Sequence, residues 1–156
     1  MYEESEIGIR FVADGNWKKI SSLQFPALEL VNQNNNLNIR MWHQESSLTE
    51  SEFLYQLIRK DGIYTDNKPF ETSVDGCKAL AIVGICNEMH RPVKVLTIVI
   101  PDFSGFNLVK IKCPDECYRD HKGQIDTLIG SIRLGRRDES LRQFLSLTCA
   151  SSYNVL

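Results

Sequence analysis

The densest group of chemically capable side chains is the run Cys113-Pro114-Asp115-Glu116-Cys117-Tyr118-Arg119-Asp120-His121. Thiolate sulfur and imidazole nitrogen are the ligands zinc prefers, and Cys117 and His121 stand at i and i+4, a spacing that puts both on one face of a helix. With Cys113 they make three candidate metal ligands. A structural zinc site needs four, and no second Cys pair or Cys-His pair lies at finger-like spacing; His43 or His90 could join only through the fold. The reading is therefore no metal and no cofactor, with Cys113, Cys117 and His121 held as the alternative. The same cysteines also fit poorly to redox chemistry, because three residues separate them where thioredoxin-like motifs have two and no βαβ unit surrounds them. If Cys113 stood exposed at a helix N-terminus, its thiol pKa would fall and make it reactive.

Hydrolytic motifs are missing from the linear sequence: no G-x-S-x-G, no H-E-x-x-H and no Gly-rich phosphate loop. Ser104-Gly105 lacks a glycine two positions before the serine. His43, His90 and His121 fall at a strand end, in a turn and on a helix face, none beside a partner in sequence that would fix its role. Asp115/Glu116 and Glu3/Glu4 read as helix-start and tail charges. The expectation is a non-enzyme with no catalytic residue, although residues distant in sequence can still meet in a fold.

Composition bounds the rest. The chain has 156 residues, 42% hydrophobic and 24% charged, with a formal net charge of -2, values of an ordinary globular domain. No broad positive field is available for phosphate neutralisation, so nucleic acid is not an expected partner. Arg133, Arg136 and Arg137 are diluted by Asp138 and Glu139 and read as a solvated helix end. The longest apolar runs, Ala79 to Ile85 and Val93 to Ile100, are far short of the roughly 20 residues of a membrane-spanning helix. Cys77, Cys86, Cys113, Cys117 and Cys149 are odd in number and irregular in spacing, which fits a reducing compartment and small buried thiols. The acidic start Met1-Tyr2-Glu3-Glu4 is unlike a secretory signal, so the cytoplasm is favoured, with the cell envelope as the alternative if a signal segment has been removed.

The elements that would position these residues follow from periodicity. Ile7, Ile9 and Phe11 alternate as in a strand, ended at Asp14-Gly15-Asn16, and Trp17 is expected to fold back on the core edge. Ala27–Val31 and Leu37–Trp42 flank the Asn32-Gln33-Asn34-Asn35-Asn36 tract and read as a hairpin. Ser47-Leu48-Thr49-Glu50 matches a capping box, and Phe53, Leu54, Leu57 and Ile58 share one face, so a helix is predicted over Leu48 to Lys60 with Gly62 at its C-terminal end. Four apolar runs follow: Phe70–Val74, Cys77–Cys86, Val93–Ile100 and Phe106–Lys112. They are joined by Asp75-Gly76, a looser turn at Met89 to Pro92, and Ser104-Gly105, connections too short for parallel crossovers. A second helix is predicted from Pro114 to Arg133, and Leu141, Phe144 and Leu145 suggest a further short one. The result is an α+β class: an antiparallel meander of about six to seven strands flanked by two main amphipathic helices. One domain over residues 1–135 is expected, with 136–156 as a C-terminal extension.

Three stretches carry a likeness across most of the chain: Ile7-Gly8-Ile9-Arg10-Phe11 followed by Trp17; Val74-Asp75-Gly76 before an apolar strand; and Tyr118-Arg119-Asp120-His121 leading to Ile129-Gly130-Ser131-Ile132-Arg133-Leu134. Together they resemble the PsbP and DcrB group of domains, a fold shared with a Ran-binding nucleotide-release factor. Asp14-Gly15-Asn16 stands where that group often has a proline before its tryptophan. The likeness implies an α/β sandwich and a binding or accessory role, in bacteria, with a protein partner and no mapped site residue. Against this expectation stands one alternative, a thiol- or metal-dependent small-molecule-binding protein or enzyme centred on Cys113, Cys117 and His121.

Overall fold

The computed structural model describes residues 2–4, 9–11, 16–20 and 27–134. The predicted C-terminal extension, its short helix and Cys149 lie outside the described residues, as do Ile7, Asp14, Gly15 and Pro26. Strands β1 (Tyr2–Glu4) and β2 (Ile9–Phe11) pair antiparallel as a separate ribbon, so the opening strand does not enter the main sheet. It is tied to the end of the described chain instead: Arg10 and Arg133 exchange two backbone hydrogen bonds of 2.8 Å.

The main sheet has seven strands, β3 (Trp17–Ile20), β4 (Ala27–Asn32), β5 (Asn38–Glu45), β6 (Phe70–Val74), β7 (Cys77–Glu88), β8 (Arg91–Pro101) and β9 (Gly105–Pro114), in the order β3-β4-β5-β9-β8-β7-β6. Every pairing is antiparallel. Two meanders, β3-β4-β5 and β6-β7-β8-β9, are thus joined side by side where β5 pairs with β9, a non-consecutive contact that hairpin reading alone does not reveal. Strand β3 lies where the sequence pattern predicts only a turn and a packed tryptophan. Trp17 begins it and is 4% exposed, a core residue where a lid on the core edge was expected.

Helix α1 (Glu50–Lys60) connects the two meanders and covers one face of the sheet. Its capping box lies two residues later than predicted, at Thr49 and Glu52 in place of Ser47 and Glu50: the Thr49 hydroxyl accepts from the Glu52 N–H at 3.3 Å, and a Glu52 carboxylate oxygen accepts from the Thr49 N–H at 3.1 Å. Both satisfy donors that the first helical turn leaves without an intrahelical acceptor. Gly62 takes a left-handed φ of +67° just past the helix, as its type allows. Helix α2 (Tyr118–Ser131) covers the other face and starts later than predicted, because Pro114 closes β9 and Asp115–Cys117 forms a single 3-10 turn before it.

Alternation divides the apolar residues between the two faces. Ile39 and Met41 of β5, Leu96, Ile98 and Ile100 of β8, and Val109, Ile111 and Cys113 of β9 pack with Ile125 and Leu128 of α2. Trp42, Ile82, Val99, Phe106 and Leu108 point the other way, against Phe53, Leu54, Leu57 and Ile58 of α1, with the Phe53 and Phe106 rings stacked at 4.5 Å. Two covered faces explain why β7, β8 and β9 read as nearly continuous apolar runs.

Candidate functional site

Cys113 is 1% exposed and belongs to strand β9, facing α2; it does not stand at a helix N-terminus. Burial pushes its thiol pKa up, from the ordinary 9.0 to about 11, with Cys117 and Asp115 adding to the rise. The conditional expectation of a lowered, reactive thiol is therefore corrected: in strand context the site disfavours thiolate. Cys117 lies at the start of α2 and His121 one turn on, both partly exposed. Among the described residues no three His, Cys, Asp or Glu side chains converge as a metal-binding group.

A cleft of about 320 Å³ opens where α1 ends. Its walls are Asp61 to Tyr64 after the helix, Cys86 to Glu88 of β7, and Lys110 and Lys112 of β9. Two ion pairs cross it, Lys110 with Asp61 and Lys112 with Glu88. Next to them Trp42 takes two cations on its ring, the Arg40 guanidinium at 5.0 Å and the Lys110 ammonium at 5.5 Å from the centroid. Burial and the nearby Glu88 carboxylate raise the pKa of the Cys86 thiol on the cleft floor.

Two large apolar side chains are exposed at this end of the sheet: Tyr64, which lines the cleft, is 79% exposed, and Met89, which follows the lining residue Glu88 in the chain, is 95% exposed. Gly84 makes the placement of Tyr64 possible: the segment Ile63 to Thr65 crosses β7 there, and a Cβ on residue 84 would lie 2.7 Å from the Tyr64 carbonyl oxygen. Tyr64 and Ile85 exchange backbone hydrogen bonds of 2.8 Å, and the Thr65 hydroxyl donates to the Val83 carbonyl at 2.7 Å.

The sheet's opposite end holds a second arrangement, which no linear motif announced. His43 of β5 sits directly across from Asn107 of β9 in the register, and the turn after β8 carries Asp102 and Ser104. Nδ1 of His43 lies 3.3 Å from Asp102 Oδ2 and 3.2 Å from Asn107 Oδ1, and Nε2 lies 3.4 Å from the Ser104 hydroxyl. The Asp102 side chain is 8% exposed and the His43 side chain 22%, while Ser104 is exposed. The β5–β9 pairing, which joins His43 to Asn107 across 64 residues of chain, brings these four groups together; in the sequence they are isolated polar residues at or near strand ends.

With the geometry in view, the class is defined: an α+β domain of PsbP-like fold, a seven-stranded antiparallel sheet covered by a helix on each face. The solution structure of the cyanobacterial PsbP (CyanoP) of Synechocystis sp. PCC 6803 aligns over 85% of this chain and 90% of its own, with a TM-score of 0.62 and 12% identity. LpqN of Mycobacterium tuberculosis, a protein involved in cell envelope biogenesis, aligns over 81% of this chain and 83% of its own at a TM-score of 0.56 and 14% identity. A Bacteroides thetaiotaomicron protein aligns over 83% of this chain and 46% of its own, at a TM-score of 0.57 and 6% identity. No family model matches the sequence, and no curated protein matches it. No helix among the described residues is long and apolar enough to cross a membrane.

Proposed function

We propose that the chain is an accessory domain that binds a partner protein at the cleft beyond α1 and the β7–β8 tip beside it. The observation that carries this reading is a contrast between two sister hairpins. The β6–β7 turn uses Asp75 and Gly76 at φ +50° and +74°, residue types suited to a two-residue left-handed turn. The β7–β8 turn has the same geometry, at φ +50° and +62°, but places Met89 and His90 there. A long side chain in that backbone region costs roughly 1 kcal/mol per residue against glycine. Stability is given up at this tip to present a thioether and an imidazole to solvent.

Methionine, tyrosine and arginine are residues that protein interfaces favour, methionine because its thioether adapts to irregular partners. Tyr64 and the exposed Met89 tip supply apolar surface next to the Lys–carboxylate pairs of the cleft, polar groups able to exchange partners. The sequence likeness to the PsbP and DcrB group supports an accessory role, and the fold is shared with LpqN, a protein involved in cell envelope biogenesis. In a bacterial setting the partner would be a protein assembled or stabilised by docking.

Affinity capture from the native organism, run in parallel with wild type, Tyr64→Ala, Met89→Asp and Ile20→Ser, tests this. Ile20 is 40% exposed on β3 at the far edge of the sheet. A partner retained by wild type and Ile20→Ser, and weakened about tenfold or more by either Tyr64→Ala or Met89→Asp, is the expected outcome. A partner that ignores both of those substitutions would overturn the reading.

A further inference from the structure

We propose that Ser104 is a nucleophile activated by His43, forming an acyl-transfer site at the β8–β9 turn that takes activated carboxylic esters. This site lies at the other end of β8 and β9 from the Met89 tip and is independent of the partner-binding reading.

The tautomer of His43 is the centre of the case. Nδ1 faces two oxygen atoms, Asp102 Oδ2 and Asn107 Oδ1, both acceptors, so the ring proton belongs on Nδ1. The lone pair is then on Nε2, and the Ser104 hydroxyl is the group that faces it, at 3.4 Å. Ser104 donates and Nε2 accepts, the direction in which a general base takes a proton from a nucleophile. Burial is graded in the useful sense: Asn107 is 1% exposed and the Asp102 side chain 8%, while Ser104 is exposed to a reactant. Asp102 is itself fixed, because its Oδ1 accepts the Phe103 N–H at 2.6 Å and its own N–H donates to the Gly105 carbonyl at 2.9 Å. The arrangement has the roles of a Ser-His-Asp triad, which is recognised by geometry and not by order in sequence.

On the α1 side of the same turn Ser104 and Asp102 also line a pocket of about 420 Å³ with Leu48, Thr49, Pro101 and Phe106, so that Ser104 stands between this pocket and His43. Phe103 is 60% exposed and Leu48 39%, apolar surface suited to a short acyl chain.

In the reaction Ser104 Oγ forms a bond to the ester carbonyl carbon as its proton passes to His43 Nε2. The carbon–oxygen bond to the alcohol then breaks, and His43 returns the proton to the departing alkoxide. Water, deprotonated by the same nitrogen, attacks the acyl-serine and releases the acid, restoring both residues. Atoms and charge balance with water as the only co-reactant. Asp102 and Asn107 are positioning residues acting through His43.

General-base activation alone is worth about 10²- to 10⁴-fold, so activated esters are the substrates with which to see it. The full chain is treated with a fluorophosphonate, which bonds phosphorus to the serine oxygen and expels fluoride, and is assayed with p-nitrophenyl acetate. Mass spectrometry is expected to place the adduct on Ser104. Ser104→Ala should abolish it, and His43→Ala should slow labelling at least 100-fold and recover with added imidazole. Asp102→Asn should lower the rate near neutrality by tenfold or more, the loss shrinking at alkaline pH as hydroxide takes over. Thermal unfolding of each variant separates a lost base from a lost fold. Labelling on other residues only, no labelling, or equal Ser104 labelling rates in wild type and His43→Ala would overturn the proposal.

Discussion

On the α2 face, β5, β8 and β9 present Ile39, Met41, Leu96, Ile98, Ile100, Val109 and Ile111, a continuous apolar layer under Ile125 and Leu128. On the α1 face the same three strands present Trp42, Val99 and Leu108 under the helix, then Arg40, Thr97, Lys110 and Lys112 toward its end. One pleat thus feeds two different surfaces. Beneath the helix the α2 face is given wholly to burial, and it turns polar only beyond it, at His43 and Asn107. The α1 face trades part of its burial for paired charges and an open cleft, polar groups that a small domain does not need for its core.

Neighbouring residues of β8 make this difference measurable. Ile98 is 1% exposed in the α2-face core, and Ile98→Ala should lower stability by about 2–5 kcal/mol in urea unfolding through the lost burial and the cavity left behind. A loss under 1 kcal/mol would mean that the α2 face is not tightly packed. Stability should also depend on pH through Cys113 on that same face. Its folded pKa, about 11, lies above the ordinary 9.0, so the protonated thiol is favoured by folding; the contribution is fully present below pH 9 and is lost as pH rises toward 11. The slope difference between wild type and Cys113→Ser reaches at most about 1.4 kcal/mol per pH unit in that window, and identical slopes would contradict the burial argument. Thr97, one residue from Ile98 and on the α1 face, should respond in the opposite sense. Its hydroxyl is buried with no hydrogen-bond partner among the described residues, so Thr97→Val is expected to stabilise by about 1 kcal/mol. Destabilisation by this nearly isosteric change would show that the hydroxyl has a partner the α1 face depends on.

Most of the fold could be read from the chain because local chemistry and tertiary packing agree there. Asp75-Gly76 marks its turn, the Phe53/Leu54/Leu57/Ile58 stripe marks α1, and the apolar runs mark β6 to β9. Where reading fell short, a longer-range contact decided. Trp17 enters a strand because β4 offers an edge to pair with, and Pro114 ends a strand because β8 holds β9 in register to that residue. The candidate sites were less legible still. Cys113, Cys117 and His121 stand out because they lie within nine residues of one another. His43, Asp102 and Ser104 become neighbours only through the β5–β9 pairing, and Met89-His90 looks like an ordinary loose turn until its backbone angles are known.

The strip of chain from Ile63 to Thr65 laid across Gly84 has one more effect. Strand β6 pairs with β7 only as far as Ala81, which would leave the outer half of a twelve-residue apolar strand with its edge open. Tyr64 takes both hydrogen-bonding groups of Ile85, while Thr65 and Asn67 occupy the Val83 carbonyl. The strip acts as a guard against edge-to-edge pairing of one molecule's sheet with another's, so that a chain with a bulky residue at position 84 is expected to aggregate before it unfolds.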